Sequence, residues 1–129
     1  MKYTSFGTLN SKYENGITRI VLEVDLEIVN FARALVPKYY KLNRQKYSPH
    51  ISVVRESFPI KNISQFSGET VMFTYDFDIV CGDVYWWLYA ESARLRELRL
   101  ELGLPELDWY NRPPDNKDCF HITIGNQKI

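Results

Sequence analysis

The sequence predicts one α+β domain spanning residues 1–129, and three features carry that expectation. Two stretches, Asp25 to Leu35 and Ser92 to Leu102, place apolar residues at helical spacing ahead of a proline, the first behind a capping aspartate. Around them run strand-like segments rich in β-branched and aromatic residues, two of them joined only by Glu14-Asn15-Gly16. Apolar residues make up 45% and charged residues 25% of 129 positions. That is an ordinary globular balance, in a chain long enough to bury roughly two thirds of its unfolded surface in one core.

Residues 2–13 and 17–24 form the arms of the opening hairpin, because Asn and Gly both tolerate the positive φ that a two-residue turn requires. Asp25 caps the first helix, whose core face is read from Ile28, Phe31, Ala32 and Leu35, and Pro37 closes it. A polar and aromatic connection, residues 39–47, leads through Ser48 and Pro49 into a strand that starts at His50. Residues 69–75, 77–81 and 84–90 read as further strands, the last two turned at Gly82-Asp83. The second helix buries Leu95, Leu98 and Leu102 and stops at Gly103 and Pro105. A turn-rich loop, residues 107–118, precedes the final strand, and no linker divides the chain.

Several classes are disfavoured. The first residues lack the apolar core of a signal peptide and no window has the length to span a bilayer, which predicts a cytosolic protein without membrane contact. Cys81 and Cys119 are then expected as free thiols, and no CxxC pair offers a zinc site. Sixteen basic side chains balance sixteen acidic ones. Proteins that grip long nucleic acid usually carry a basic excess, so a long polyanion is not the expected ligand, whereas a small charged one remains open.

The chemistry-bearing pattern is a repeated one. The only two histidines, His50 and His121, each stand in a strand-like run and each is followed at +2 by a hydroxyl, Ser52 and Thr123. Residues two apart in a strand share a face, so His50 with Ser52, and His121 with Thr123, are expected opposite the apolar Ile51, Val53, Phe120, Ile122 and Ile124. One histidine in a strand is more often structural than catalytic. For both to carry that neighbour by chance is about one in sixty on ordinary composition.

If the two strands adjoin, two imidazoles and two hydroxyls converge. That set suits cleavage of a phosphodiester, in which one imidazole takes a proton from the attacking hydroxyl or water and the other protonates the leaving oxygen. The hydroxyls of Ser52 and Thr123 are placed to donate to the non-bridging oxygens. Which histidine is the base is open at this stage. No metal or other cofactor is needed, and Asp118 and Cys119 beside His121 are too sparse for a metal site.

His50-Ile51-Ser52-Val53 and His121-Ile122-Thr123-Ile124 resemble the paired His-h-Ser/Thr-h signatures, h being hydrophobic, of the two-histidine (2H) phosphoesterase superfamily, which includes LigT-like RNA phosphoesterases and cyclic phosphodiesterases. The resemblance implies two pseudo-symmetric lobes of antiparallel sheet with outer helices and an active-site cleft between the lobes. It also implies a metal-independent phosphodiesterase. Residues 38–55, the run Val84 to Ser92 and the ending from Cys119 are similar to small tailed-phage members of that superfamily, RNA-repair-like proteins that include anti-CBASS phosphodiesterases. The substrate this implies is a cyclic di- or oligonucleotide messenger in the host cytosol.

Other residues bear on the ligand. Tyr85 and Trp87 share one face of their strand and are read as base-stacking residues of the cleft, although strand aromatics are more often core, with Tyr13 a weaker candidate. Arg44 and Lys46 are candidate phosphate contacts, although an ordinary solvated loop also explains them. Arg55 has the parity of Ile51 and Val53 and is expected to leave the cleft side unless the strand bends, and residues 108–118 are a candidate cover over the site, although turn formation alone explains their Pro and Asn content. Two alternatives stay beside the main reading: opening of 2′,3′-cyclic phosphates on RNA ends, and sequestration of nucleotides without cleavage.

Overall fold

Asn15 and Gly16 adopt φ of 53° and 74°, the left-handed conformation that closes a tight hairpin between β1 (Tyr3–Glu14) and β2 (Ile17–Glu23). The protein is described by a computed structural model covering residues 1–129. After β2, Asp25 accepts the Glu27 amide at 2.9 Å and starts α1 (Leu26–Ala34). β3 (His50–Glu56), β4 (Thr70–Tyr75), β5 (Val80–Cys81) and β6 (Tyr85–Glu91) follow. Ser92 caps α2 (Ala93–Glu101), and β7 (Phe120–Asn126) ends the ordered elements. The α+β class read from the sequence therefore holds.

All strands pair antiparallel in the order β4-β1-β2-β3-β7-β6-β5, and β4 also pairs with β6. Two lobes of antiparallel sheet were expected, and hydrogen bonding joins all seven strands into one sheet. The join is thin, because β3 meets β7 through a single residue pair, Ile51 with Ile122. Beyond it the strands part, and carbonyls freed from the ladder need other donors.

Each end of the gap is filled in the same way. At one end Arg99 of α2 donates to Val53 O at 2.6 Å, and the Asn111 amide donates to Ser52 O at 2.6 Å and Val53 O at 3.0 Å. At the other end Arg33 of α1 donates to Ile124 O at 3.0 Å, to Leu42 O at 2.8 Å and to Asn43 O at 3.1 Å. In both halves a helix arginine reaches the carbonyl two residues past the bridging isoleucine. The chain order also repeats: hairpin, helix and histidine strand come first as β1-β2-α1-β3 and again as β5-β6-α2-β7.

The core lies on one side of the sheet and is a single cluster. It includes Ile20, Leu22, Ile51, Leu88, Phe120 and Ile122 from the strands, with Ile28, Val29 and Ala32 from α1 and Leu95 and Leu98 from α2. Each large aliphatic side chain buried there contributes about 1.5–3 kcal/mol relative to exposure. The face expected for α1 is half wrong. Phe31 and Leu35 are 54% and 52% exposed, and Val29 takes their place. The helix is rolled so that Val29 and Arg33, one turn apart, face inward, while Phe31 packs beside Phe77 with ring centroids 4.6 Å apart. The strand expected over 77–81 shrinks to Val80 and Cys81, because the Asp76 carboxylate takes the Asp78 amide at 3.0 Å and turns the chain first.

Candidate active site

The Ile51–Ile122 pairing sets the site. In an antiparallel pair with this register, His50 lies across from Thr123 and Ser52 across from His121, all on the face opposite the buried isoleucines. The four side chains line one cleft of about 510 Å³, and Tyr85, Arg44 and Lys46 line it with them. Seven of the residues singled out in the sequence thus come together.

Both imidazoles are held through the same atom. His50 Nδ1 lies 2.7 Å from Ser48 O, and His121 Nδ1 lies 2.8 Å from Asn111 O. A carbonyl oxygen can only accept, so each Nδ1 carries the hydrogen, and Nε2 is left with its lone pair in the neutral ring. Each histidine therefore has Nε2 available to a ligand: as base when neutral, as acid when protonated.

The two environments differ. Burial, reinforced by nearby His50, holds the His121 pKa below the usual histidine value, and the bond to Asn111 and the charge of Asp115 do not cancel that effect. Directly across from His121 on β6 is Tyr89, whose hydroxyl donates to Asp115 and whose phenol is pushed up to about 12, chiefly by that bond. Across from His50 on β2 is Glu23. His121 is thus suited to be neutral near pH 7.

A pH dependence of stability follows. With its folded pKa depressed, His121 binds fewer protons folded than unfolded, so the stability present above the ordinary value of about 6.5 is lost as pH falls through the lower, folded value. Thermal melts should show declining stability on acidification from about pH 6.5, and the decline should flatten in His121→Gln. An unchanged pH slope in that variant would contradict the assignment.

The cleft is cationic although the chain carries no net charge. Arg33, Arg44 and Lys46 line it and no aspartate or glutamate does. Arg44 donates to Asn30 at 3.1 Å, and the three acceptors of Arg33 are neutral carbonyls, so neither guanidinium is paired with a carboxylate. Burial, then the cation of Arg44, lowers the Arg33 pKa, yet arginine remains charged. No group of three or more His, Cys, Asp or Glu side chains is placed to hold a metal ion, and Cys119 is a buried thiol whose pKa burial pushes up to about 11.

Two expected ligand residues lie elsewhere. Trp87 is opposite Thr123 and so on the expected face, but it is 3% exposed, covered by the β5–β6 turn. A Cβ at Gly82 would stand 2.5 Å from its ring. Tyr13 pairs with the buried Thr18 and follows the parity of Leu9, which places it on the core side of the hairpin, 53% exposed at its tip and away from the cleft. The loop 108–118 is a support and not a cover: Tyr110 and Asn111 are buried, and Asn111 ties β3 to His121.

Sequence reasoning missed Arg33, Arg99 and Asn111. The two arginines had a signal: each follows a core residue by one helical turn, Val29 and Leu95, and so puts a cation on a buried face. Asn111 had none, since nothing local distinguishes it from the other turn residues around it. No helix is long and apolar enough to cross a membrane. No family model, curated protein or solved structure matches the chain.

Proposed function

We propose that the cleft cleaves phosphodiester bonds in small ribonucleotides without a metal ion, with cyclic di- or oligonucleotides as the preferred substrates. The observation that carries this reading is the matched pair of histidines, each fixed through Nδ1 to a backbone carbonyl in one cleft lined by Arg33, Arg44 and Lys46. Resemblance of the two motifs to 2H phosphoesterases supports it, and so does the repeated hairpin-helix-histidine order about the Ile51–Ile122 pair, which fits the two-lobed LigT-like plan. Within that superfamily we favour the phage anti-CBASS role in the host cytosol.

The lowered His121 pKa supports that residue as the base, which leaves the acid's role to His50. His121, neutral, removes the proton from the ribose 2′-hydroxyl next to the scissile bond; that oxygen attacks phosphorus as the bond to the 5′-oxygen breaks. Protonated His50 gives its Nε2 proton to the departing 5′-oxygen. A 2′,3′-cyclic phosphate and a free 5′-hydroxyl result, and the two imidazoles have exchanged protonation states. Ser52 and Thr123 donate to the non-bridging oxygens, and Arg33, Arg44 and Lys46 supply positive charge.

The test is incubation in excess chelator with cyclic dinucleotides, cyclic oligonucleotides and RNA fragments ending in 2′,3′-cyclic phosphate. Cleavage of the cyclic oligonucleotides, with a bell-shaped pH profile, supports the proposal. Faster opening of RNA ends would move the assignment to RNA processing, and tight binding with intact ligand recovered would make the protein a sequestering module. Strict dependence on added metal would overturn the mechanism.

A further inference from the structure

A second groove of about 570 Å³ adjoins the histidine cleft and shares Tyr47, Ser48, His50 and Ser52 with it. It lies on the open face of β1, β2 and β3, and its cations are Lys12, Arg19 and Arg55. Register puts these three in one row across the strands, Lys12 opposite Arg19 and Arg19 opposite Arg55. Like charges directly across a strand pair repel. Glu14 neutralises Lys12 at 2.6 Å, and Glu23 is in the groove at the histidine end, but no ion pair involves Arg19 or Arg55.

Arg55 reaches this face through a local irregularity. Strict alternation from Ile51 and Val53 points it toward the core, but the pairing skips from Val21–Ser52 to Ile20–Val54. Val53 is therefore an extra residue, and both Val53 and Val54 are buried. The bulge reverses the parity beyond it and brings Arg55 to the side of Arg19. Arg55 therefore stays on this face, the outcome expected only if the strand bends.

We infer that Arg19 and Arg55 form a second phosphate subsite, which holds a phosphate of the ligand whose reacting phosphate lies between His50 and His121. An anion between two opposed guanidiniums relieves their repulsion and accepts several charge-assisted hydrogen bonds. From His50 to Arg55 the strand runs about 16 Å at ~3.3 Å per residue, so a mononucleotide cannot engage both ends. Tyr47, exposed and common to both grooves, offers a ring to a base lying between them. The substrate class narrows to nucleotides with more than one phosphodiester. This inference rests on the phosphodiesterase reading for what happens at the histidines, but not for the binding itself.

Binding is measured by fluorescence anisotropy with a labelled pentadeoxynucleotide, which lacks the 2′-hydroxyl nucleophile, and with a labelled mononucleotide. The proteins are the full chain, Arg19→Gln, Arg55→Gln, the double variant, and Lys61→Gln as a cation outside both grooves. The double variant should lose about tenfold or more in affinity for the pentamer and show a shallower salt dependence, with mononucleotide binding unchanged. Its melting temperature should hold or rise as the repulsion goes, which separates lost binding from lost folding.

Equal pentamer affinity in wild type and double variant overturns the inference. So does an equal loss in Lys61→Gln, or a wild type that binds the pentamer no better than the mononucleotide. Turnover of a ribonucleotide by His50→Ala and His121→Ala is followed in parallel. Undiminished turnover there would remove the phosphodiesterase reading and leave the arginine result standing.

Discussion

His50→Ala and His121→Ala are each expected to lower turnover of a ribonucleotide phosphodiester by about 10²–10⁴-fold, the usual contribution of a positioned acid or base. Both rings lie at the cleft, half-buried, and each is anchored by one bond to a backbone carbonyl. Removing either leaves the Ile51–Ile122 core untouched, so folding should survive and the loss should appear in kcat. The double variant should be little worse than the worse single one, because base and acid act in the same step. The pH profiles should separate the roles: with His121 the base, its removal abolishes the acidic limb, which lies below the ordinary histidine range because burial depresses that pKa. Steady-state rates with purified variants over pH decide it. Single variants within a few-fold of wild type would show that the reaction does not pass through these rings.

How much of this was legible in the sequence depended on the range of the interaction. The hairpin, the two capped helices and the two histidine strands follow from local rules, and Asp25, Asn15-Gly16 and Ser92 perform the roles their types prescribe. Strand parity also placed His50, Ser52, His121 and Thr123 on one face. Parity failed where a bulge intervened, and exposure was misjudged where another segment lay on top. Arg55 changed sides at the bulge around Val53, and Trp87 kept its side but is hidden under Gly82. Neither a bulge nor a covering turn leaves a mark in periodicity, since both are settled by which strands meet and in what register. The same applies to Asn111, whose importance comes from the parting of β3 and β7, an event between segments far apart in the chain.

The largest loss of stability is expected from Arg99→Ala, about 3–5 kcal/mol. Arg99 is fully buried in the core face of α2. It donates to Pro105 O at 2.7 Å, Val53 O at 2.6 Å and the Tyr110 hydroxyl at 2.6 Å. Tyr110 passes its own hydrogen to Glu56 at 2.9 Å, so the counter-charge acts through a phenol and not by direct contact. Alanine removes a long side chain from a packed site and takes a donor from two buried acceptors, Val53 O and the Tyr110 hydroxyl. Such a loss is a large part of the roughly 5–15 kcal/mol that holds a domain folded. Arg99→Lys should recover only a minor share, since one ammonium cannot span acceptors on a strand, a loop carbonyl and a phenol together.

Arg33 supplies the informative contrast, because it performs the matching task on the other half but is half-buried and lines the cleft. Arg33→Ala should therefore cost less stability and more substrate affinity than Arg99→Ala. Denaturant midpoints and KM values for the two variants check both statements. Equal midpoints would mean that the buried arginine of α2 contributes no more to stability than the half-buried one of α1.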